Sequence, residues 1–171
     1  MKNRSLQFKI FVYGALFVTA ISLLIGASFY YTMSQSIEQQ IGNRALNIAM
    51  TTANRPDVVA GFETENPSDV LQPIAEAVRE LSGAQYVVIG NVEGIRYAHP
   101  VVERIGEKMV GDDNERALIN GESYISEATG TLGPALRGKT PIKNEQGEIV
   151  GIISVGFLKA DISHTFFEYV D

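Results

Sequence analysis

The sequence predicts an α+β domain with a central antiparallel five-stranded sheet, flanked by a long N-terminal helix and preceded by one transmembrane helix. Three observations predict it. Residues 10–31 form an uncharged apolar run, two segments after it repeat apolar residues every three or four positions, and five short β-rich segments separated by turn residues follow.

The apolar run reads IFVYGALFVTAISLLIGASFYY from Ile10 to Tyr31. At about 1.5 Å per residue it makes a helix of roughly 33 Å, enough to cross a hydrocarbon core of about 30 Å. A cleavable signal sequence has a shorter apolar core, roughly 7–15 residues, ending in small residues. Here the run is longer and ends in the bulky Phe29, Tyr30 and Tyr31, of which Tyr30 and Tyr31 suit an interfacial aromatic belt. Lys2, Arg4 and Lys9 precede it, so residues 1–9 are expected to remain cytoplasmic and everything after Tyr31 to lie outside the cell.

Charge divides at the same boundary. All 20 acidic residues lie beyond Tyr31, with 11 of the 14 Lys and Arg, so the outer part carries about −9. That balance argues against nucleic acid or an anionic lipid surface as a partner, and any anion site must be built locally. The absence of cysteine excludes a disulfide framework, thiol chemistry and cysteine metal sites.

From Ser34 to Ala53 the residues Ile37, Ile41, Ala45, Ile48 and Thr52 predict a helix continuing the membrane segment, with Leu46 and Met50 widening its apolar stripe. Asn54-Arg55-Pro56 ends it, and residues 56–67 read as a loop. Ser68 or Asp69 is placed to cap a second helix through Val70, Leu71, Ile74, Ala77, Val78 and Leu81, stopped by Ser82-Gly83. Strands are then expected at 85–90, 95–99, 123–128, 135–142 and 150–158, with turns at 91–94 and 144–147 and a short helical piece around 115–119. A further helix is expected from Lys159. This order of helices and strands is that of an extracellular PAS-like sensor domain, running from residue 32 to 158. Residues 159–171 then read as the start of a linker toward a second membrane helix beyond the chain.

Chemistry concentrates in two clusters. In Arg96-Tyr-Ala-His99-Pro100 an ideal strand would send Arg96 and His99 to opposite faces, so convergence needs a bend before Pro100. In Arg137-Gly138-Lys139 the i, i+2 spacing puts both cations on one face. Just upstream, Thr129-Gly-Thr-Leu-Gly133 can form a loop that turns backbone N–H groups toward an anion, with the Thr131 hydroxyl as an added donor. Two guanidinium groups and an ammonium suit a ligand with two or three carboxylates, although an arginine on a strand is more often simply solvated or paired with a nearby acid. No nucleophile, carboxylate pair or phosphate loop points to catalysis, so none is expected in this chain. The acidic stretch Gly111-Asp-Asp-Asn-Glu115 lacks the spaced ligands of a calcium loop and reads as solvated.

These clusters resemble the sensor domains of the citrate and C4-dicarboxylate sensor histidine kinases, which are PAS-like domains of PDC/Cache type. The resemblance runs from Gln85 to Leu158. It is carried by Arg96-x-x-His99-Pro100, Ile105-Gly106, Gly111 and Ala117-Leu118-x-x-Gly121-x-x-Tyr124. Gly130-Thr-Leu-Gly-x-Ala-Leu-Arg-Gly-Lys-Thr-Pro141 and Gly147-x-x-Val-Gly-Ile-Ile-Ser-Val-Gly156 complete it. The resemblance implies that Arg96, His99, Arg137 and Lys139 hold carboxylates, and that Gly130, Thr131, Leu132 and Ser154 add backbone or hydroxyl contacts. Arg-x-Lys is the citrate-sensor form, whereas the fumarate-type sensors carry an aromatic at the lysine position. Citrate is therefore the expected ligand, with fumarate, malate or succinate as the alternative, in a sensor kinase or a chemoreceptor. One departure is Val88, where the citrate sensors carry a hydroxyl residue; Tyr86 is a candidate replacement. The resemblance further implies a homodimer in the bilayer and a parent two-component histidine kinase. That kinase would use ATP in a phosphorelay to a cytoplasmic response regulator, with no cofactor in the present segment.

Overall fold

The computed structural model describes residues 5–111 and 113–159, and the chain falls into two units, residues 1–39 and 40–171. The helix expected beyond Lys159 lies outside the described residues.

Helix α1 is unbroken from Leu6 to Ala53. In the first unit it holds the stretch long and apolar enough to cross a membrane, and Phe11, Leu16, Phe17, Leu23, Leu24 and Phe29 are all exposed. These side chains therefore serve no protein core among the described residues.

In the second unit the rest of α1 turns a face of small residues inward: Gly42, Ala45, Ala49, Thr52 and Ala53 are buried. Of the expected stripe, Ala45 and Thr52 are buried, whereas Gly42, Ala49 and Ala53 join them from outside it. Ile41 and Ile48 flank the contact and Met50 is exposed, because the sheet comes too close for large side chains at its centre. The contact point is Gly138, where a Cβ would stand 2.2 Å from the Leu46 backbone nitrogen.

Residues 56–67, expected as a loop, contain helix α2 (Pro56–Gly61), with proline in its first turn and Asp57 favourably near its N-terminus. Helix α3 runs from Pro67 to Ser82 and ends on Gly83 at φ 68°, the left-handed cap that glycine adopts without penalty. It begins one or two residues before the expected cap, at Pro67 after Asn66. It buries Leu71 and Ala75, while Leu81 is exposed.

The strands are β1 (Tyr86–Asn91), β2 (Arg96–Ala98), β3 (Tyr124–Gly130), β4 (Gly133–Lys143) and β5 (Ile149–Leu158), with a one-turn helix α4 (Glu115–Leu118) before β3. They form one five-stranded sheet in the order β2-β1-β5-β4-β3, with antiparallel pairing throughout. The architecture is the predicted one: an α+β, PDC/Cache-type domain. One sheet face packs Val87, Ile89, Ile153, Val155 and Phe157 against α1, α2 and α3. The other carries Tyr86, Val88, Ala135 and Ile152, covered in part by Met109 and Ala117 from the β2–β3 connection.

Gly138→Ala should therefore lower stability by about 2–3 kcal/mol, the cost of overpacking against a rigid partner. For a chain of this size that corresponds to a fall of roughly 5–10 °C in the thermal unfolding midpoint.

Candidate ligand-binding site

Strand register assembles the site. Lys139 pairs with Ser154 and Ser154 with Val88, while Arg137 pairs with Gly156 and Gly156 with Tyr86. Directly paired residues of neighbouring strands share a face. Tyr86, Val88, Arg137, Lys139 and Ser154 therefore stand together on the face opposite α1. The intervening Gly138 is the residue α1 touches, so the Arg-Gly-Lys triplet serves both faces at once.

This face forms the floor of a small cavity, with about 30 Å³ of room for the centre of a water-sized sphere. Every residue named from the sequence lines it: Arg96, His99, Gly130, Thr131, Leu132, Arg137, Lys139 and Ser154. Tyr86, Val88, Met109 and Val110 complete the wall. His99 reaches the same cavity as Arg96 because β2 ends at Ala98, releasing His99 from the strand's alternation.

The glycine-flanked loop differs from expectation. β3 extends to Gly130 and β4 starts at Gly133, so Thr131 and Leu132 form a two-residue hairpin turn, with Gly133 at φ 119°. Arg96 Nη2 donates to Thr131 Oγ1 at 3.1 Å, which ties this turn to β2. On its other side Arg96 Nη1 lies 3.5 Å from Glu107, an acid half exposed at the rim.

The cations are deeply placed: Arg96, His99 and Arg137 are each 3% exposed and Lys139 is 0% exposed. Burial pulls the Lys139 ammonium down to about 8, although its hydrogen bond to Asp113 acts in the opposite direction. Burial also lowers the Arg96 pKa, opposed by the Glu107 charge. His99 falls below its ordinary value, first through burial and further through the Arg96 charge, so its ring is neutral near pH 7. Its Nδ1 sits 3.0 Å from both the N–H and the carbonyl oxygen of Val101, which leaves Nε2 for a ligand.

Three parts of this arrangement were not singled out as site residues in the sequence. Asp113, read as part of a solvated loop, accepts from Arg137 Nη2 at 2.9 Å and from Lys139 Nζ at 2.7 Å. Asn114 Oδ1 accepts from the same Lys139 Nζ at 2.6 Å. The Asp113 carboxyl stays below the ordinary range: burial pushes it up, but the Lys139 hydrogen bond and the Lys139 and Arg137 charges prevail. The second part is Gln72 of α3. Its side-chain amide grips the His99 backbone, donating to the carbonyl oxygen at 3.0 Å and accepting from the N–H at 2.8 Å. The third is Tyr86, considered only as a substitute hydroxyl. Its Oη is buried without a hydrogen-bond partner, as is Arg137 Nε, and burial pushes the phenol up to about 12. Two orphaned polar groups on one cavity wall are the kind of feature a polar ligand satisfies.

A buried floor of cations, one oriented imidazole, a hydroxyl turn and unsatisfied donors thus meet in one cavity. The chain belongs to the single cache domain 3 family, whose model matches residues 32–170. Among curated proteins it is 47% identical over 154 residues to the sensor protein CitS of Halalkalibacterium halodurans, covering 90% of this chain and 29% of that one. It is 34% identical over 157 residues to the sensor histidine kinase CitA of Klebsiella pneumoniae, covering 91% of this chain and 28% of that one. The crystal structure of the Escherichia coli DcuS sensor domain superimposes with a TM-score of 0.72 at 32% identity, over 77% of this chain and 98% of that one. The chain thus spans a little over a quarter of the length of these curated relatives, at 29% and 28%.

The Gln72 grip makes a prediction that needs no ligand. His99 should titrate below its ordinary value in the intact chain, and Gln72→Ala should raise it by freeing the ring toward solvent. Imidazole NMR shifts followed across pH would show it, with His164 identified by its own substitution.

Proposed function

We propose that this chain is the extracytoplasmic ligand-sensing part of a membrane-anchored two-component sensor histidine kinase, and that it binds citrate. The observation that carries the reading is the convergence of Arg96, Arg137 and Lys139 on one cavity at 3% exposure or less. Burying three cations is costly, and a ligand supplying several carboxylates offsets that cost through charge-assisted hydrogen bonds. Lys139 favours a third carboxylate and hence citrate over a dicarboxylate. The names of CitS, CitA and DcuS as sensors support the role, and the apolar part of α1 supports a membrane anchor.

Each residue has a part in this reading. Arg96 and Arg137 engage carboxylates bidentately, and Lys139 adds a point charge at the floor. His99 donates or accepts at Nε2. Gly130, Thr131 and Leu132 close over the ligand, and Ser154 contributes its hydroxyl from β5. β5 is also the strand from which the chain continues toward residue 171, so a ligand that draws the hairpin turn and the sheet together would move the exit from the domain. Such a shift is driven only by the ligand's differential affinity for the two arrangements. The parent protein would use ATP and pass a phosphoryl group to a response regulator, as a dimer in the bilayer.

A C4-dicarboxylate sensor is the second reading, favoured by Val88. It lines the cavity where a hydroxyl would otherwise meet the ligand.

Calorimetry on the 171-residue chain in detergent with citrate, malate and succinate tests both readings. Citrate should bind most tightly, and absence of binding to all three would overturn the proposal. Arg96→Ala and Arg137→Ala should each weaken binding by about a hundredfold or more, because each strands a desolvated carboxylate. Lys139→Ala should weaken citrate more than succinate.

Lys139 also sets a pH dependence. With a free value of about 8, raised when a carboxylate binds, Lys139 takes up a proton on binding above that pH. Citrate affinity should be insensitive to Lys139 titration well below pH 8 and fall by up to about tenfold per unit above it. Lys139→Met should abolish that slope, and a slope that persisted in the variant would have another origin.

A further inference from the structure

Resting on that reading of the site, the geometry points to a specificity-determining residue outside the cavity wall: Asp113 is the site's built-in counter-carboxylate and sets how many ligand carboxylates it accepts. Its two oxygens are divided between the two floor cations, 2.9 Å from Arg137 Nη2 and 2.7 Å from Lys139 Nζ. Arg137 and Lys139 have no other acid within ion-pair distance among the described residues. Asp113 thus returns one negative charge to a floor that carries two positive ones.

The placement is enforced by packing. Gly111, at φ 115°, leaves room beside the guanidinium. A Cβ there would lie 2.9 Å from Asp113 Oδ1 and 3.3 Å from Arg137 Nη1. Tyr124, which pairs with Lys139 across the strands, donates its hydroxyl to the Asp113 carbonyl oxygen and holds the residue from the far side. Asn114 spends its neutral oxygen on Lys139, so the cation is hydrogen-bonded twice but neutralised only once.

The consequence follows from electrostatics. A ligand carboxylate arriving at Arg137 and Lys139 meets cations already shared with a like charge a few ångströms away, and like charges on one site disfavour each other. A ligand that places more charge on this floor is penalised more by Asp113, so the residue moderates the preference for a tricarboxylate over a dicarboxylate. By the same coupling, a bound ligand loosens the hold of Asp113 on the sheet.

Two isosteric substitutions change the charge in opposite directions. Asp113→Asn removes the counter-charge, and Asn114→Asp adds a second one 2.6 Å from Lys139. Calorimetry on the full chain in detergent, at about pH 6 where Lys139 is charged, should show citrate binding tightened about tenfold in Asp113→Asn and weakened about tenfold in Asn114→Asp. Succinate should change less in both, so the citrate-to-succinate affinity ratio should rise in the first and fall in the second. Circular dichroism establishes that each variant is folded, and either one alone decides the direction. A ratio within twofold of wild type in the folded variants, or a shift of the same sign in both, would overturn the assignment. Arg96→Ala separates it from the site reading. If wild type binds citrate and Arg96→Ala does not, the pocket stands whatever Asp113 does. If no protein in the set binds either carboxylate, both fall.

Discussion

The structure turns on keeping two charged side chains, Arg137 and Lys139, on the inner face of a sheet where almost no water reaches them. Removing an ammonium and a guanidinium from water costs several kcal/mol each even after relaxation, and only close partners offset that. β4 meets the demand through its alternation. Arg137 and Lys139 point to the pocket, where Asp113 and Asn114 stand ready, while Gly138 between them offers no side chain to the other face. That bare glycine lets the α1 backbone lie directly on the strand, and the small residues Gly42, Ala45 and Ala49 keep the helix there. Helix docking and pocket charge are therefore two outcomes of the same three residues.

Much of this was legible in the sequence because it depends on local rules. The i, i+2 spacing of Arg137 and Lys139 is a statement about strands, and β4 obeys it. The bend that brings His99 beside Arg96 was implied by Pro100, and β2 does stop at Ala98. The succession of strands along the chain and the hairpin at Asn144–Gly147 followed from turn residues between β-rich runs. β3 and β4 reach further than expected at the ends they share. Pairing of Gly130 with Gly133 converts the expected open loop into a tight turn.

The parts that were not legible depend on long-range pairing. Asp113 sits in an acidic stretch that any composition rule assigns to solvent, and it becomes a site residue only because the chain returns it to β4, 24 residues before Arg137 in sequence. Gln72 lies on α3, 27 residues from the His99 backbone it grips. The inward face of α1 was legible only in part, for a related reason. Hydrophobic periodicity picks out Ala45 and Thr52, which are buried, but it passes over the small Gly42 and Ala49, which the close approach of the sheet at Gly138 and Ile125 also turns inward.

The acidity of the chain beyond Tyr31 sharpens what the proposed site must do. Beyond Tyr31 the chain carries 20 acids against 11 of its Lys and Arg, so the far field repels an anionic ligand and long-range steering does not help capture. At physiological ionic strength that field decays over about 8 Å, whereas contacts inside a desolvated cavity are screened far less. Recognition is therefore decided at short range, by the few charges whose water has already been removed. In such a setting a single carboxylate placed 2.7 Å from Lys139 counts for more than distant acids on the surface. On the proposed reading, selectivity among small carboxylates is then a question of how Arg96, Arg137, Lys139 and Asp113 share charge, not of the protein's overall sign.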